Sequence, residues 1–447
     1  MNILIVGAGD VGFRLSRRLS RERHNITMIE QDPQKAIRAR EQLDAFVIEG
    51  SGASFQTLGQ ARLETVDILA AMTDNDEANL MACKLAKKAG VGTTIARVRD
   101  PQYSAADFPL DNTDLGVDHL IHPEEETASA VVQLLHQSSA TYAVEFEGGK
   151  IQLLGLRLDR NSELLNMSLT DLGRKYESSK IQIVAINRSH KTIIPKGDNR
   201  LLSGDQIFVV CDPGYTSDLM SLAGKPETPM SDIMVLGGGL IGQTIASSMA
   251  HEARIKIVEG REEQAWKIAD ALPDTLVIHG DGTDFDLLTT EGLGEMDAFV
   301  AVTGDDEKNI ITTLLARHTN VPRAIALVNK VEYLPVMSSI GLDTVVSKQL
   351  LTVNAVQRFI QHQQVASIAS LPGINAQFIE YIAEAGCRMT KQPLRKIRFP
   401  DHAIVGAILH DEQVEIPTGE SRIRPGDKIV VFSLPQAVDE LDRLFEC

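Results

Sequence analysis

Short apolar runs alternate with helical periodicities through residues 1–122. Ile3–Val6, Ile26–Ile29, Phe46–Ile48, Ile68–Met72, Ile95–Val98 and His119–Ile121 are too brief for buried helices and read as strands. Between them Val11–Arg21, Pro33–Leu43 and Asn75–Lys88 space their apolar residues as helices do. This alternation predicts a parallel, doubly wound sheet, because neighbouring parallel strands need a crossover, usually a helix. The pattern then recurs, with strands expected at Ile233–Leu236, Ile255–Val258, Leu276–Ile278, Ala298–Val302, Ile325–Val328 and Val345–Val346. The fold class is α/β, with two Rossmann-like sheet domains.

Each sheet is followed by an amphipathic helix. In Glu124–Gln137 the residues Ala128, Val131, Val132 and Leu135 fall at i, i+3, i+4 and i+7, and in Gln349–His362 the matching stripe is Val353, Val356 and Ile360. Such a stripe either covers its own domain or docks on a partner subunit. The texture then changes to short strands and turns. Thr192–Val209 parallels Val414–Val431, with Pro195 against Pro417 and Gly204-Asp205 against Gly426-Asp427. Gly-Asp between apolar runs marks a turn, so each half ends in a small α+β subdomain. The expected order is a sheet domain (1–138), a small subdomain (139–224), a linker (225–231), a second sheet domain (232–363) and a second small subdomain (364–447).

The two halves repeat more than their hydropathy. Gly7-Ala8-Gly9-Asp10-Val11-Gly12 returns as Gly237-Gly238-Gly239-Leu240-Ile241-Gly242, Gly50-Ser51-Gly52 as Gly280-Asp281-Gly282, and Ala71–Asn79 as Ala301–Asn309. Each glycine triplet follows a strand and opens a helix. There the first glycine permits a tight turn, the second lets backbone approach a pyrophosphate, and the third packs helix on sheet. The helix amides then face the phosphate. Glu30 ends the second strand, 18 residues after Gly12, where a carboxylate accepts from both ribose hydroxyls and repels a 2′-phosphate. NAD, NADH or adenosine ligands such as ATP and ADP therefore suit the site better than NADP.

Further candidates lie along the carboxyl edge of the sheet. Asp32 follows Glu30, Ser51 follows the third strand, Thr73 and Asp74 the fourth, and Arg97 and Arg99 close the fifth. Asp74 and Glu77 also have capping-box spacing, whereas the arginines suit phosphates. The second repeat keeps Glu259, Asp281 and Thr303, but has Arg261 for Asp32, Leu327 for Arg97 and Asn329 for Arg99. The first site is thus expected to bind more tightly.

Composition narrows the function. The chain is 43% hydrophobic and 23% charged, with a net charge of -17, which disfavours nucleic acid and direct lipid binding. No run of about 18 apolar residues or basic leader predicts a span or secretory signal, and Cys83, Cys211, Cys387 and Cys447 form no metal motif. A cytoplasmic protein without a metal site is expected. His119 and His122 lack a paired carboxylate, and no hydrolase, metalloprotease or Walker sequence occurs, so no catalytic residues are assigned.

On these residues the chain resembles the RCK (regulator of potassium conductance) family, and within it the regulatory subunits of bacterial Trk potassium uptake systems. The resemblance rests on Gly7–Gly12, Glu30, Gly50–Gly52, Thr73–Asn79, Ile95–Arg99, Pro195–Gly197 and Gly204-Asp205, in tandem order along the whole chain. Family members carry Asp where this chain has Ser51. The resemblance implies a homotetrameric ring under a Trk-type membrane potassium transporter, on the cytosolic face of the inner membrane, whose gate responds to nucleotide. An NAD-dependent oxidoreductase and an assembly scaffold with vestigial sites are the alternatives.

Overall fold

The computed structural model describes residues 1–446 apart from 23, 106, 138, 147–148, 176–180, 190, 226–229, 361–364, 371–375 and 412. Most of the expected linker, the end of the helix expected at 349–362, and Cys447 thus lie outside the described residues. The chain divides into two compact units, residues 1–126 with 348–360, and residues 127–347 with the remainder.

In the first unit, β1 (Asn2–Val6), β2 (Asn25–Glu30), β3 (Phe46–Glu49), β4 (Ile68–Ala71), β5 (Thr93–Arg97) and β6 (His119–Ile121) form one sheet in the order β3-β2-β1-β4-β5-β6. All its pairings are parallel. Strand β1 is apolar throughout because both faces are covered. Leu4 and Val6 join Leu58, Leu69 and Leu80, while Ile3 and Ile5 join Val11, Leu15 and Leu19. The strand order reverses between β1 and β4, and in open α/β sheets ligands bind at that crevice.

The second face is completed by a helix from the other repeat. Val353 and Val356 of Lys348–Gln357, with Ile360 beyond it, enter the cluster of Ile3, Ile5, Val11 and Leu15. The helix Pro123–His136 does the converse. Within the second unit its Val131 and Leu135 are buried, Arg323 Nη2 donates to the Leu134 carbonyl at 2.8 Å, and His136 bonds Glu252 at 2.9 Å. The apolar stripes are thus buried within one chain by the other repeat, an arrangement beside the two their sequence left open. Each repeat lends its helix to the other.

The second unit holds β7 (Tyr142–Phe146), β8 (Ile151–Arg157), β9 (Ile181–Arg188), β10 (Lys191–Ile193) and β11 (Gln206–Cys211) in a small sheet ordered β10-β9-β11-β8-β7. Next come β12 (Asp232–Leu236), β13 (Arg254–Glu259), β14 (Thr275–His279), β15 (Ala298–Ala301), β16 (Arg323–Leu327) and β17 (Val345–Val346), ordered β14-β13-β12-β15-β16-β17 as in the first repeat. The last sheet, β18 (Val365–Ser370), β19 (Gln377–Ile382), β20 (Ala403–His410), β21 (Gln413–Glu415) and β22 (Lys428–Ser433), is ordered β18-β19-β22-β20-β21. The two small sheets share one core, in which Val184, Phe208 and Val210 meet Phe378, Ala407 and Phe432. Gly204 and Gly426, at φ +88° and +93°, make the turns read from Gly-Asp. Among the described residues no helix is long and apolar enough to cross a membrane.

Candidate functional site

The turn after β1 is shaped by contacts that admit no side chain. Gly7 has φ +101°, and a Cβ on Gly12 would lie 1.9 Å from the Gly7 carbonyl oxygen. A Cβ on Gly9, by contrast, would meet nothing within 4 Å, so this face of the turn is open. Helix Asp10–Arg21 starts from Gly9 with no side-chain cap, whereas Asp32, Ser54, Asn75 and Asp111 cap the four helices that start at Pro33, Phe55, Asp76 and Asn112. The uncapped amides beside an open glycine are a ready anion site. Val11 is buried in the core and offers the site only backbone, and Ala8 is likewise buried.

Glu30 braces this turn. Its Oε2 accepts from Ala8 N at 2.5 Å and its Oε1 from Asp32 N at 2.8 Å, and the residue is 7% exposed. Both oxygens keep further lone pairs for ribose hydroxyls. Asp32 is the N-cap of Pro33–Gln42, accepting from Gln34 N and Lys35 N. Ser51 Oγ accepts from Ala53 N at 3.3 Å within its own turn.

Asp74 does not form the capping box its spacing suggested. Asn75 caps Asp76–Lys88 instead, accepting from Ala78 N at 2.6 Å, because Asp74 is drawn to Arg97 Nη1 at 2.6 Å. Partial desolvation opposes ionisation of the largely exposed Asp74, yet the hydrogen bond and charge of Arg97 hold its carboxyl below the usual range. Arg97 also donates to the Thr73 carbonyl at 3.3 Å. Arg99 extends outward, with Nε 3.6 Å from Glu124 Oε1, and Lys348 Nζ approaches the same oxygen at 3.2 Å. His119 stacks on Phe359 at 3.8 Å, and burial lowers its pKa; His122 Nε2 meets Ser104 Oγ at 2.7 Å. Neither histidine faces a carboxylate in these contacts.

The sequence reading assigned no role to two residues that organise this edge. Asn79, fully buried, accepts from Thr73 N and Thr73 Oγ1 and donates to the carbonyls of Thr73 and Arg97, tying β4 to β5. Asp76 Oδ2 accepts from Arg99 N and Asp100 N. Their survival as Asn309 and Asp306 was the available signal. Asn309 repeats the same four bonds to Thr303 and Leu327, and Asp306 accepts from Asn329 N and Lys330 N.

The second turn copies the first with altered fittings. Gly237 has φ +109°, a Cβ on Gly242 would lie 2.0 Å from the Gly237 oxygen, and Gly239 is open. Helix Leu240–Met249 is again uncapped at Gly239, with Ile241 buried. Glu259 accepts from Gly238 N and Arg261 N, while Arg261 Nε turns back onto it at 3.2 Å. Ile268 explains Gly238: its Cδ1 would sit 2.2 Å from a Cβ there, where the first repeat pairs Ala8 with Ala39. Asp281, at the place of Ser51, accepts from Thr283 N and from Lys308 Nζ at 3.0 Å, which brings its carboxyl down to about 2.

Residues 3–123 and 233–348 match the TrkA-N domain, and residues 153–224 and 378–446 match the TrkA-C domain. The chain belongs to the TrkA family. It is 35% identical over 456 residues to Trk system potassium uptake protein TrkA homolog 2 of Methanosarcina mazei, covering all of both chains. It is 30% identical over 451 residues to Trk system potassium uptake protein TrkA of Azorhizobium caulinodans, covering all of this chain and 98% of the relative. Among solved structures, the GsuK RCK domain aligns with TM-score 0.61 at 17% identity, over 99% of this chain and 94% of its own. The GsuK channel bound to NAD aligns with TM-score 0.61 at 17% identity, over 99% and 78%. Within this TrkA-family chain the residues predicted around each turn gather at one sheet edge, with Asp32 spent on capping and Asp74 on Arg97.

Proposed function

We propose that this chain is a non-catalytic, nucleotide-sensing regulatory subunit that gates a Trk-type membrane potassium transporter from the cytosolic face of the inner membrane. The observation that carries the reading is the pair of open glycine turns, each beside an uncapped helix and a buried, turn-bracing glutamate. The relatives named for Trk potassium uptake supply the transport context, and the GsuK channel, solved bound to NAD and to ADP, supports a nucleotide ligand. The first site comprises Gly7–Gly12, Glu30, Thr73, Arg97 and Arg99, with Asp32, Ser51 and Asp74 at its rim. The second comprises Gly237–Gly242, Glu259, Asp281 and Thr303. The working ligands are NAD or NADH, with ATP and ADP as competitors, and four chains place eight sheet domains in a ring.

Calorimetric titration of the purified chain with NAD, NADH, ATP and ADP tests the ligand. Potassium flux in vesicles carrying the transporter, with each nucleotide added, tests the gate. Absence of binding by all four would leave a scaffold. Steady consumption of NADH with a carbonyl panel, absent in Gly9→Trp, would make the chain an oxidoreductase.

A further inference from the structure

The last small subdomain carries a basic surface that its counterpart in the first repeat lacks. From Cys387 to Phe399 the chain has five cationic residues and no carboxylate, in a protein of net charge -17. Cys387, Met389 and Ile397 are buried in the core of this subdomain, so the cations beside them are turned to the surface. Leu394 N donates to the Ser421 carbonyl at 3.0 Å and Arg395 N to the Gly419 carbonyl at 2.9 Å, which lays this segment beside 419–424. There Ser421 and Ile423 are buried while Arg422 and Arg424 are exposed. Arg395, Lys396, Arg398, Arg422 and Arg424 thus gather on two adjoining segments, all exposed. Arg388 is left out, because the turn that holds it packs on Val438–Phe445, which bears Glu440 and Asp442.

Of these five cations, Arg395 alone has an ion pair among the described residues, its Nη1 lying 2.7 Å from Glu420 Oε1. The same backbone bonds occur in the first repeat, where Leu169 N donates to Asn199 O and Thr170 N to Gly197 O. That correspondence sets Thr170, Asp171 and Gly173 against Arg395, Lys396 and Arg398, and Arg200 and Leu202 against Arg422 and Arg424. The fold therefore does not require the cations, since the first repeat builds the same turn with an aspartate at the place of Lys396. Like charges held together weaken a fold slightly. Among the described residues no carboxylate offsets four of them, and each stands beside a buried neighbour that fixes its place.

We propose that this surface binds an acidic peptide segment of a partner protein. Arginine and lysine receive carboxylates through charge-assisted hydrogen bonds, and Glu420 on Arg395 already makes one such contact here. At physiological salt a charge is screened beyond about 8 Å. A short segment therefore meets the patch alone, whereas a bilayer or a nucleic acid also meets the acidic remainder of the chain. Fluorescence anisotropy of a labelled hexaglutamate peptide with the full chain tests this, with hexaglutamine as the neutral control. Hexaglutamate should bind at least about tenfold more tightly than hexaglutamine and weaken as salt rises. The variant Lys396→Asp, Arg398→Gly, Arg424→Leu, which installs the residues of the first repeat, should weaken it about tenfold. Lys88→Glu with Lys267→Glu, on helices Asp76–Lys88 and Glu262–Ala271, changes the net charge equally and should leave binding intact. Equal binding of the two peptides, full binding by the triple variant, or equal loss in both variants would overturn the proposal. So would tighter binding to phosphatidylglycerol vesicles or to duplex DNA than to hexaglutamate, which would give the surface to lipid or nucleic acid. Lys396→Gln, a single exposed substitution, should weaken the peptide roughly two- to threefold and decides the point where the triple variant fails to fold.

Discussion

Arg97 Nη1 and Asp74 Oδ1 lie 2.6 Å apart at the rim of the first glycine turn, and both are absent from the second repeat, where Leu327 and Gly304 stand. The two residues are present together in one repeat and absent together in the other. A lone Arg97 would carry an unbalanced, nearly buried charge, and a lone Asp74 would place a carboxylate beside phosphate.

Arg97→Leu should weaken nucleotide binding to the first site by about tenfold, or ~1.4 kcal/mol. The double variant Arg97→Leu, Asp74→Gly should bind no more weakly than the single one, because the remaining carboxylate no longer repels the ligand. Calorimetry on the three proteins checks the order.

The same pair makes a small contribution to stability that depends on pH. Asp74 is held below its ordinary pKa, so this contribution is present above the unfolded carboxyl value of about 3.9 and is lost as pH falls through the folded value. Asp74 is exposed, so the effect should stay below about 1 kcal/mol. Melting temperatures of the unmodified chain and Asp74→Asn should differ slightly at pH 7 and converge as pH falls below the folded carboxyl value.

Two adjacent glycines should respond in opposite ways. Gly9→Ala should leave the fold intact, because its Cβ meets nothing within 4 Å, while weakening nucleotide by closing the open face. Gly12→Ala should lower the melting temperature outright, since its Cβ would sit 1.9 Å from the Gly7 oxygen. Thermal denaturation with and without NADH separates the two.

Glu30→Ala should cost the tighter site about 1.5–3 kcal/mol of binding, and Glu259→Ala should leave that site unchanged. Because Glu30 also braces Ala8 N and Asp32 N, it should cost stability in the absence of ligand too. A weakening of the tighter site by Glu259→Ala alone would reverse the assignment of the two sites.

Val131→Asp with Leu135→Asp should unfold the chain, not merely separate subunits. Both side chains are buried within one chain, at 0% and 1% exposure, so each aspartate would be buried without a partner. Circular dichroism would show lost structure under conditions where the unmodified chain stays folded.

Local spacing made the sheets legible. Six short apolar runs per repeat became six parallel strands, and the glycine triplets became tight turns, because both depend on residues adjacent in sequence. The destination of the helices was not legible. Val353 and Val356 show which face is apolar, but any buried sheet face satisfies it, and the one covered begins more than 300 residues earlier. Asp74 misled for a similar reason: capping and ion pairing compete for one carboxylate, and Arg97, on the neighbouring strand, decides between them.

The exchange of helices between the repeats also means that the chain has no working half. A fragment ending after Leu222 would leave the first sheet without Val353 and Val356, and a fragment beginning at Asp232 would leave the second unit without Val131 and Leu135. Mixed together, such fragments should recover each other as split reporters do. Gene fission within the 226–229 stretch would therefore yield an obligate heterodimer, not two independent sensors.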